Sequence, residues 1–183
     1  MFDWWRNRRS QVATASEIYG AIVARARNPG FYRRCGVSDT PEGRYELIVL
    51  TMSLVLERLR QLPGAAIDLQ RLIIEAFVTD MDDCMREMGV GDLTVPKKVK
   101  RAAAGLMERM DLYRSALAAA DDSAIQAALE ANIPAVASTP GAAALLAISI
   151  RADIKQLAGL TRSELSSGKL KFSDEPAELP PLA

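Results

Sequence analysis

SDTPEGRYELIVLTMSLVLERLRQL, residues 38–62, is the stretch on which the fold turns. Thr40 has the side chain of an N-cap, and Pro41 suits the first helical position, where its missing N–H would be unpaired anyway. Asp39 is a competing cap. From Leu47 to Leu59 the apolar residues fall on several sides of the helix rather than along one stripe. Such a helix needs neighbours all round, which places it at the centre of a bundle. The PG pair at 63–64 ends it.

The flanking segments supply the neighbours. Residues 15–27 predict a helix with Ile18, Ile22 and Ala26 on one face, stopped by NPG at 28–30; FYRRCGV then adds aromatic anchors and two arginines. Residues 66–88 predict another, with Ile73, Phe77, Met81, Cys84 and Met88 as its apolar stripe and Gly89 as its C-cap. A further helix is expected at 96–117, a short one at 121–133, and a last, alanine-rich one after Ser138 or Thr139 and Pro140. No segment alternates with the period of a strand. The expected architecture is all-α, a single-domain bundle of about six helices with short loops. Its helical domain spans 15–165, between a Trp/Arg-rich segment at 1–14 and an acidic, proline-containing tail at 166–183, both expected to be flexible.

Composition removes whole classes of chemistry. The chain has no histidine, which excludes Ser-His-Asp, Cys-His, zincin and Glu-x-x-His di-iron designs. Cys35 and Cys84 lie far apart with no C-x-x-C spacing, the usage of a reducing compartment. No secretory signal is evident, and the apolar runs at 47–56 and 142–150 are too short to span a bilayer. The expectation is a cytoplasmic protein, with any membrane contact peripheral, on the inner face of the plasma membrane. Lysine plus arginine equals aspartate plus glutamate at 23 each, but the signs are segregated. Residues 1–34 hold seven arginines against Asp3 and Glu17, and residues 75–92 hold six acids against Arg86.

That segregation marks the candidate sites. Asp80, Asp83 and Glu87 flank the stripe of the third helix, with Glu75, Asp82 and Arg86 pointing outward. These acids crowd a helix C-terminus, while Lys97, Lys98, Lys100 and Arg101 crowd the next N-terminus, each the wrong sign for the helix dipole. The simplest repair is mutual neutralisation across GVGDLTV, or pairing of the acids with an arginine from 25–34. A metal site would need more convergent oxygens than a straight helix offers. Glycoside chemistry would need an aromatic cleft in a chain only 5% aromatic. Structural pairing and partner docking remain, and both can hold. GVGD lacks the third glycine and the preceding strand of a dinucleotide fingerprint; Asp92 or Thr94 is instead a cap for the next helix. Cys84 reads as a buried, inert thiol. Trp4 and Trp5 beside Arg6, Arg8 and Arg9 suit a membrane interface or an apolar partner groove; RNA contact and a strap over the bundle are the competing readings. Arg25, Arg27, Arg33 and Arg34 complete the candidate protein-binding residues. No catalytic, cofactor or metal residue is assigned.

Three motifs carry a resemblance. ARNPGFY at 26–32 (within YGAIVARARNPGFYRRCGV), DTPEGRYELIVL at 39–50 and DMDDCMREMGVGD at 80–92 together resemble the ubiquinol–cytochrome c chaperone family, over roughly residues 15–160. The resemblance implies a non-enzymatic assembly factor for cytochrome bc1 that needs no cofactor. Its mitochondrial members act with a small partner protein near the ribosome exit tunnel and bind newly made cytochrome b. The implied partners here are cytochrome b or another hydrophobic membrane-protein client, with ribosome contact; peripheral membrane contact is expected from the tryptophans and arginines of residues 1–9. Many members carry a histidine near Thr51, and a small or polar residue then leucine where Cys84 and Met85 stand. The short lead before the first motif resembles the bacterial form. The alternative reading is a helical scaffold or ribosome-associated RNA-binding protein. An enzyme would show a deep polar pocket at Asp80 and Asp83, a chaperone a shallow apolar groove rimmed by charge, and an RNA binder a continuous basic face from Arg25 through Arg34 to Lys97.

Deleting residues 1–9 is expected to weaken sedimentation with anionic vesicles and leave helicity unchanged, because each basic residue near such a surface contributes about 1 kcal/mol. A fall in melting temperature would instead assign the tryptophans to packing on the bundle.

Overall fold

The computed structural model describes residues 2–62, 67–119 and 121–173; for residues 2–8, 162 and 166 it describes the backbone alone. The chain is all-α, with nine helical segments and no strand among the described residues. Six are long: α1 (Phe2–Ala26), α3 (Pro41–Gln61), α4 (Ile67–Glu87), α5 (Val95–Leu117), α6 (Ser123–Asn132) and α8 (Ala142–Ala158). Three are single turns: α2 (Pro29–Arg33), α7 (Pro134–Ala137) and α9 (Arg162–Ser166).

Helix α3 is the axis. Thr40 caps it as expected, its hydroxyl oxygen accepting from the Gly43 N–H at 3.2 Å. Asp39 does not compete; its carboxylate accepts from Arg44 Nε at 2.7 Å. Gly43 is required by space: a Cβ there would stand 2.1 Å from the Ser38 carbonyl oxygen. Every residue from Glu46 to Leu56 is buried. The polar members of that run are satisfied locally or by a neighbour. Thr51 and Ser53 donate to the Leu47 and Val49 carbonyls, and Glu46 accepts from Arg109 on α5 at 3.0 and 3.3 Å.

Contacts fix the directions of the surrounding helices. Tyr19 meets Phe77 and Asp80, and Arg27 lies near Cys84, so α1 and α4 run the same way. Tyr45 donates to the Ala102 carbonyl and Glu46 meets Arg109, so α3 and α5 share the opposite direction. Helix α8 closes the bundle against α3 and α6. Arg58 of α3 caps its C-terminal end by donating to the Leu157 and Leu160 carbonyls at 3.0 and 2.8 Å.

The boundaries differ from expectation in three places. Helix α1 starts at Phe2, so positions 2–14 of the segment expected to be flexible are continuous with it, and Thr14 and Ala15 are already buried. Neither Ser138 nor Thr139 caps α8. Their hydroxyls donate back to the Pro134 and Ala135 carbonyls, and Gly141, at φ 77°, makes the entry. The expected tail begins inside α9, and residues 170–173 return to the bundle, where Leu170 and Phe172 pack on the core. Its proline-containing part, 174–183, lies outside the described residues.

The returning segment 170–173 is a strap that ends on a buried ion pair. Arg25 Nε donates to Asp153 Oδ2 at 3.0 Å, with both side chains at most 5% exposed. Its other two nitrogens donate to the Ser173 carbonyl and hydroxyl oxygens at 3.0 and 2.9 Å. Ser173 in turn donates its N–H and O–H to Asp153 Oδ1 at 2.8 and 2.7 Å. The guanidinium also stacks over Phe31 at 4.8 Å and Phe172 at 5.9 Å. Charge removed from water is tolerated here because nearly every polar atom has a partner.

Removing one member of that pair strands the other. Arg25→Ala or Asp153→Ala is expected to cost about 3–5 kcal/mol, and Arg25→Met with Asp153→Leu far less. Urea denaturation of the three variants provides the measurement; equal losses in all three would show that packing, not charge, holds the strap.

Candidate partner-docking surface

The acids and bases singled out in the sequence converge on one end of the bundle, where α1 and α4 finish and α5 begins. Gly89 terminates α4 as expected. It adopts φ 76°, donates its N–H to the Arg86 carbonyl, and lets Val90 N–H reach the Met85 carbonyl. This left-handed turn satisfies the last carbonyls of the helix and sends the chain sharply into α5.

The mismatched charges are not neutralised across the turn. Among the described residues, no ion pair joins Asp80, Asp83 or Glu87 to Lys97, Lys98, Arg101 or the arginines at 25–34. The repair lies within the acidic end itself. Arg86 Nε reaches Asp82 one turn back at 2.6 Å, and its Nη1 reaches Asp92 beyond the turn at 2.5 Å. An arginine already four residues from an acid needs no distant partner. Asp92 is thereby spent on Arg86, and Thr94 makes no side-chain cap. These exposed pairs add little stability and weaken in salt.

The candidate residues therefore divide. Asp80 is half-buried and accepts from the Tyr19 hydroxyl at 2.7 Å; burial, then this bond, pushes the tyrosine well above the usual phenol range. Asp83, Glu87, Lys97 and Lys98 are exposed, as are Arg27 and Arg33; Asp82 and Arg34 are half-buried. Arg25 leaves the surface group altogether, because it is the buried partner of Asp153. Its burial also interrupts the continuous basic face that an RNA-binding reading requires. Trp4 and Trp5 fall within α1, but their side chains lie outside the described residues.

Sequence reasoning missed several surface features. Met88, the end of the expected core stripe, is 60% exposed, and Leu93 in the turn is 98% exposed. A second apolar stripe on α4, Ile67, Ile74 and Val78, forms a shallow outward trough; its spacing of seven and four was readable, but its lack of a covering helix was not. An apolar-floored cleft of about 360 Å³ lies between α3, α5 and α8, walled by Leu54, Met110, Leu117, Ile154 and Leu157 and rimmed by Arg58 and Arg151. Neither hollow includes Asp80 or Asp83. Among the described residues, no three acidic or cysteine side chains cluster as metal ligands, and no helix is long and apolar enough to cross a membrane. The geometry offers shallow apolar surface bounded by charge, a kind of surface that suits contact with another chain.

The comparisons agree with that chemistry. The family model described as "Ubiquinol-cytochrome C chaperone" matches residues 33–172. A solved structure titled "Crystal structure of the Cbp3 homolog from Brucella abortus" is similar to this chain with a TM-score of 0.81 and 34% sequence identity. The similarity covers 93% of this chain and 94% of that one. None of the curated proteins matches.

The two thiols provide a check on this end of the bundle. Cys35 is buried and its thiol is pushed up to about 11 by desolvation. Cys84 is only half-buried, against expectation, because α4 emerges from the core there; burial first, and the neighbouring Asp80, Glu87 and Asp83, raise its pKa. At about pH 8, iodoacetamide should modify Cys84 more slowly than free cysteine and Cys35 only after unfolding, with Cys84 quickening as pH rises, since the thiolate is the nucleophile. Mass spectrometry of the timed products reads both rates; fast labelling of Cys84 would remove the acids from its surroundings.

Proposed function

The chain belongs to the ubiquinol–cytochrome c chaperone family, and we propose that its client is the newly made cytochrome b subunit of a respiratory complex. It is an all-α chaperone rather than an enzyme. Membership of the family, shown over residues 33–172 and by a 34% identical structure, is the observation that supports the client. The bundle end described above supplies a means. Asp83 and Glu87 offer negative charge, Arg27 and Arg33 positive charge, and Met88 exposed apolar surface between the turn and the helix. Charge of both signs orients an incoming segment and sets its rate of encounter, while apolar contact retains it. Such a client is inserted as it is made, so the chaperone works at the cytoplasmic face of the membrane.

Asp83→Lys with Glu87→Lys should leave the melting temperature close to that of the parent, because both residues are exposed. In a strain lacking the gene, the parent chain should restore haem-bearing cytochrome b and the double variant should restore markedly less. Difference spectra and native gels of the membranes read the outcome. Normal cytochrome b and normal complex assembly in the strain lacking the gene, under respiratory growth, would defeat the client assignment.

A further inference from the structure

Residues 91–94 stand clear of the bundle between α4 and α5, every one of them exposed. Leu93 is 98% exposed, and Met88, one turn-length away, is 60% exposed. Immediately beyond them Lys97, Lys98, Lys100 and Arg101 are exposed too, and none forms an ion pair with a described residue. The local acids are occupied elsewhere: Asp82 and Asp92 by Arg86, and Asp80 by Tyr19. Asp83 and Glu87 are exposed and form no ion pair with Lys97, Lys98, Lys100 or Arg101 among the described residues.

We propose that this turn and the start of α5 form a membrane-docking tip. Leu93 enters the acyl boundary of an anionic bilayer, and Lys97, Lys98, Lys100 and Arg101 hold the headgroup phosphates. Stable peripheral attachment takes two signals, an apolar insertion and a basic patch, and both occur here within a few residues. The four cations sit in the first two turns of a helix whose dipole disfavours them, a local conflict that an external anion relieves. Nucleic acid fits less well. Phosphate binding alone gives no use for a fully exposed leucine, and residues 88–101 contain no aromatic side chain on which a base could stack.

The tip is separate from the amino-terminal tryptophans. Because α1 and α4 run in the same direction, the start of α1 lies at the opposite end of the bundle, about 37 Å away along a 25-residue helix. The inference does not rest on cytochrome b as the client, and its failure would leave that assignment standing.

The test is sedimentation of the full chain with phosphatidylcholine vesicles, with and without phosphatidylglycerol. The parent chain should bind only the anionic vesicles, and less so in high salt. Leu93→Ser should weaken binding about tenfold, the loss expected for one leucine no longer taken out of water. Lys97→Glu with Lys98→Glu should weaken it by at least about tenfold, since each lysine near the surface accounts for about fivefold. That double reversal suits the helix dipole, so the fold should survive it, and circular dichroism checks this. Failure of the parent to bind, or parental binding by either variant, overturns the proposal. So does salt-sensitive RNA binding that Leu93→Ser leaves intact and the lysine reversal abolishes while vesicle binding persists, which would assign the tip to nucleic acid.

Discussion

Helix α3 has no face left for water from Glu46 to Leu56, and everything else is arranged around that fact. A helix buried on all sides must find apolar surface in every direction, so α1, α4, α5 and α8 surround it in place of a second layer. Burial also forces each polar group on it to be satisfied at close range. Thr51 and Ser53 turn their hydroxyls onto the helix's own backbone, and Glu46 draws Arg109 inward from α5. Desolvation raises the Glu46 pKa despite that arginine, so the pair fixes the α3–α5 register more than it adds to stability.

Much of the interior was legible in the residues. The Thr40–Pro41 start, the all-round apolar run and the Gly89 stop are local devices, and each acts through atoms within a few residues. What failed was whatever depends on distant partners. Arg25 belongs to an arginine-rich stretch and reads as surface, because nothing near it announces Asp153 or Ser173. Ser138 and Thr139 have the chemistry of N-caps, but a short preceding helix offered their hydroxyls nearer acceptors. The return of the chain at 170–173 could have been suspected from Leu170 and Phe172, two apolar residues in an otherwise polar stretch.

The candidate surface shows the same division. The sequence placed opposite charges at the facing ends of α4 and α5 and noted that each offends its helix dipole. The structure answers the acidic half within its own helix, through Arg86, and leaves the basic half unanswered among the described residues. Charge content is written in the sequence, but whether a charge is spent or spare depends on which neighbours come within reach. The exposure of Leu93 is of the same kind, since a leucine in a turn is covered or bare according to how the turn stands off the bundle.

The closing strap also sets an order of events. Arg25 is separated from Asp153 by 128 residues and from Ser173 by 148. During synthesis the first helix and its arginine emerge well before the groups that make burial of that arginine tolerable. Until residue 173 is available, Arg25 and Asp153 lack the partners that Ser173 gives to both. Contacts of such long sequence separation are slow to form and hold back the last step of folding. This protein, a chaperone for other chains, therefore completes its own core only once residue 173 has been made.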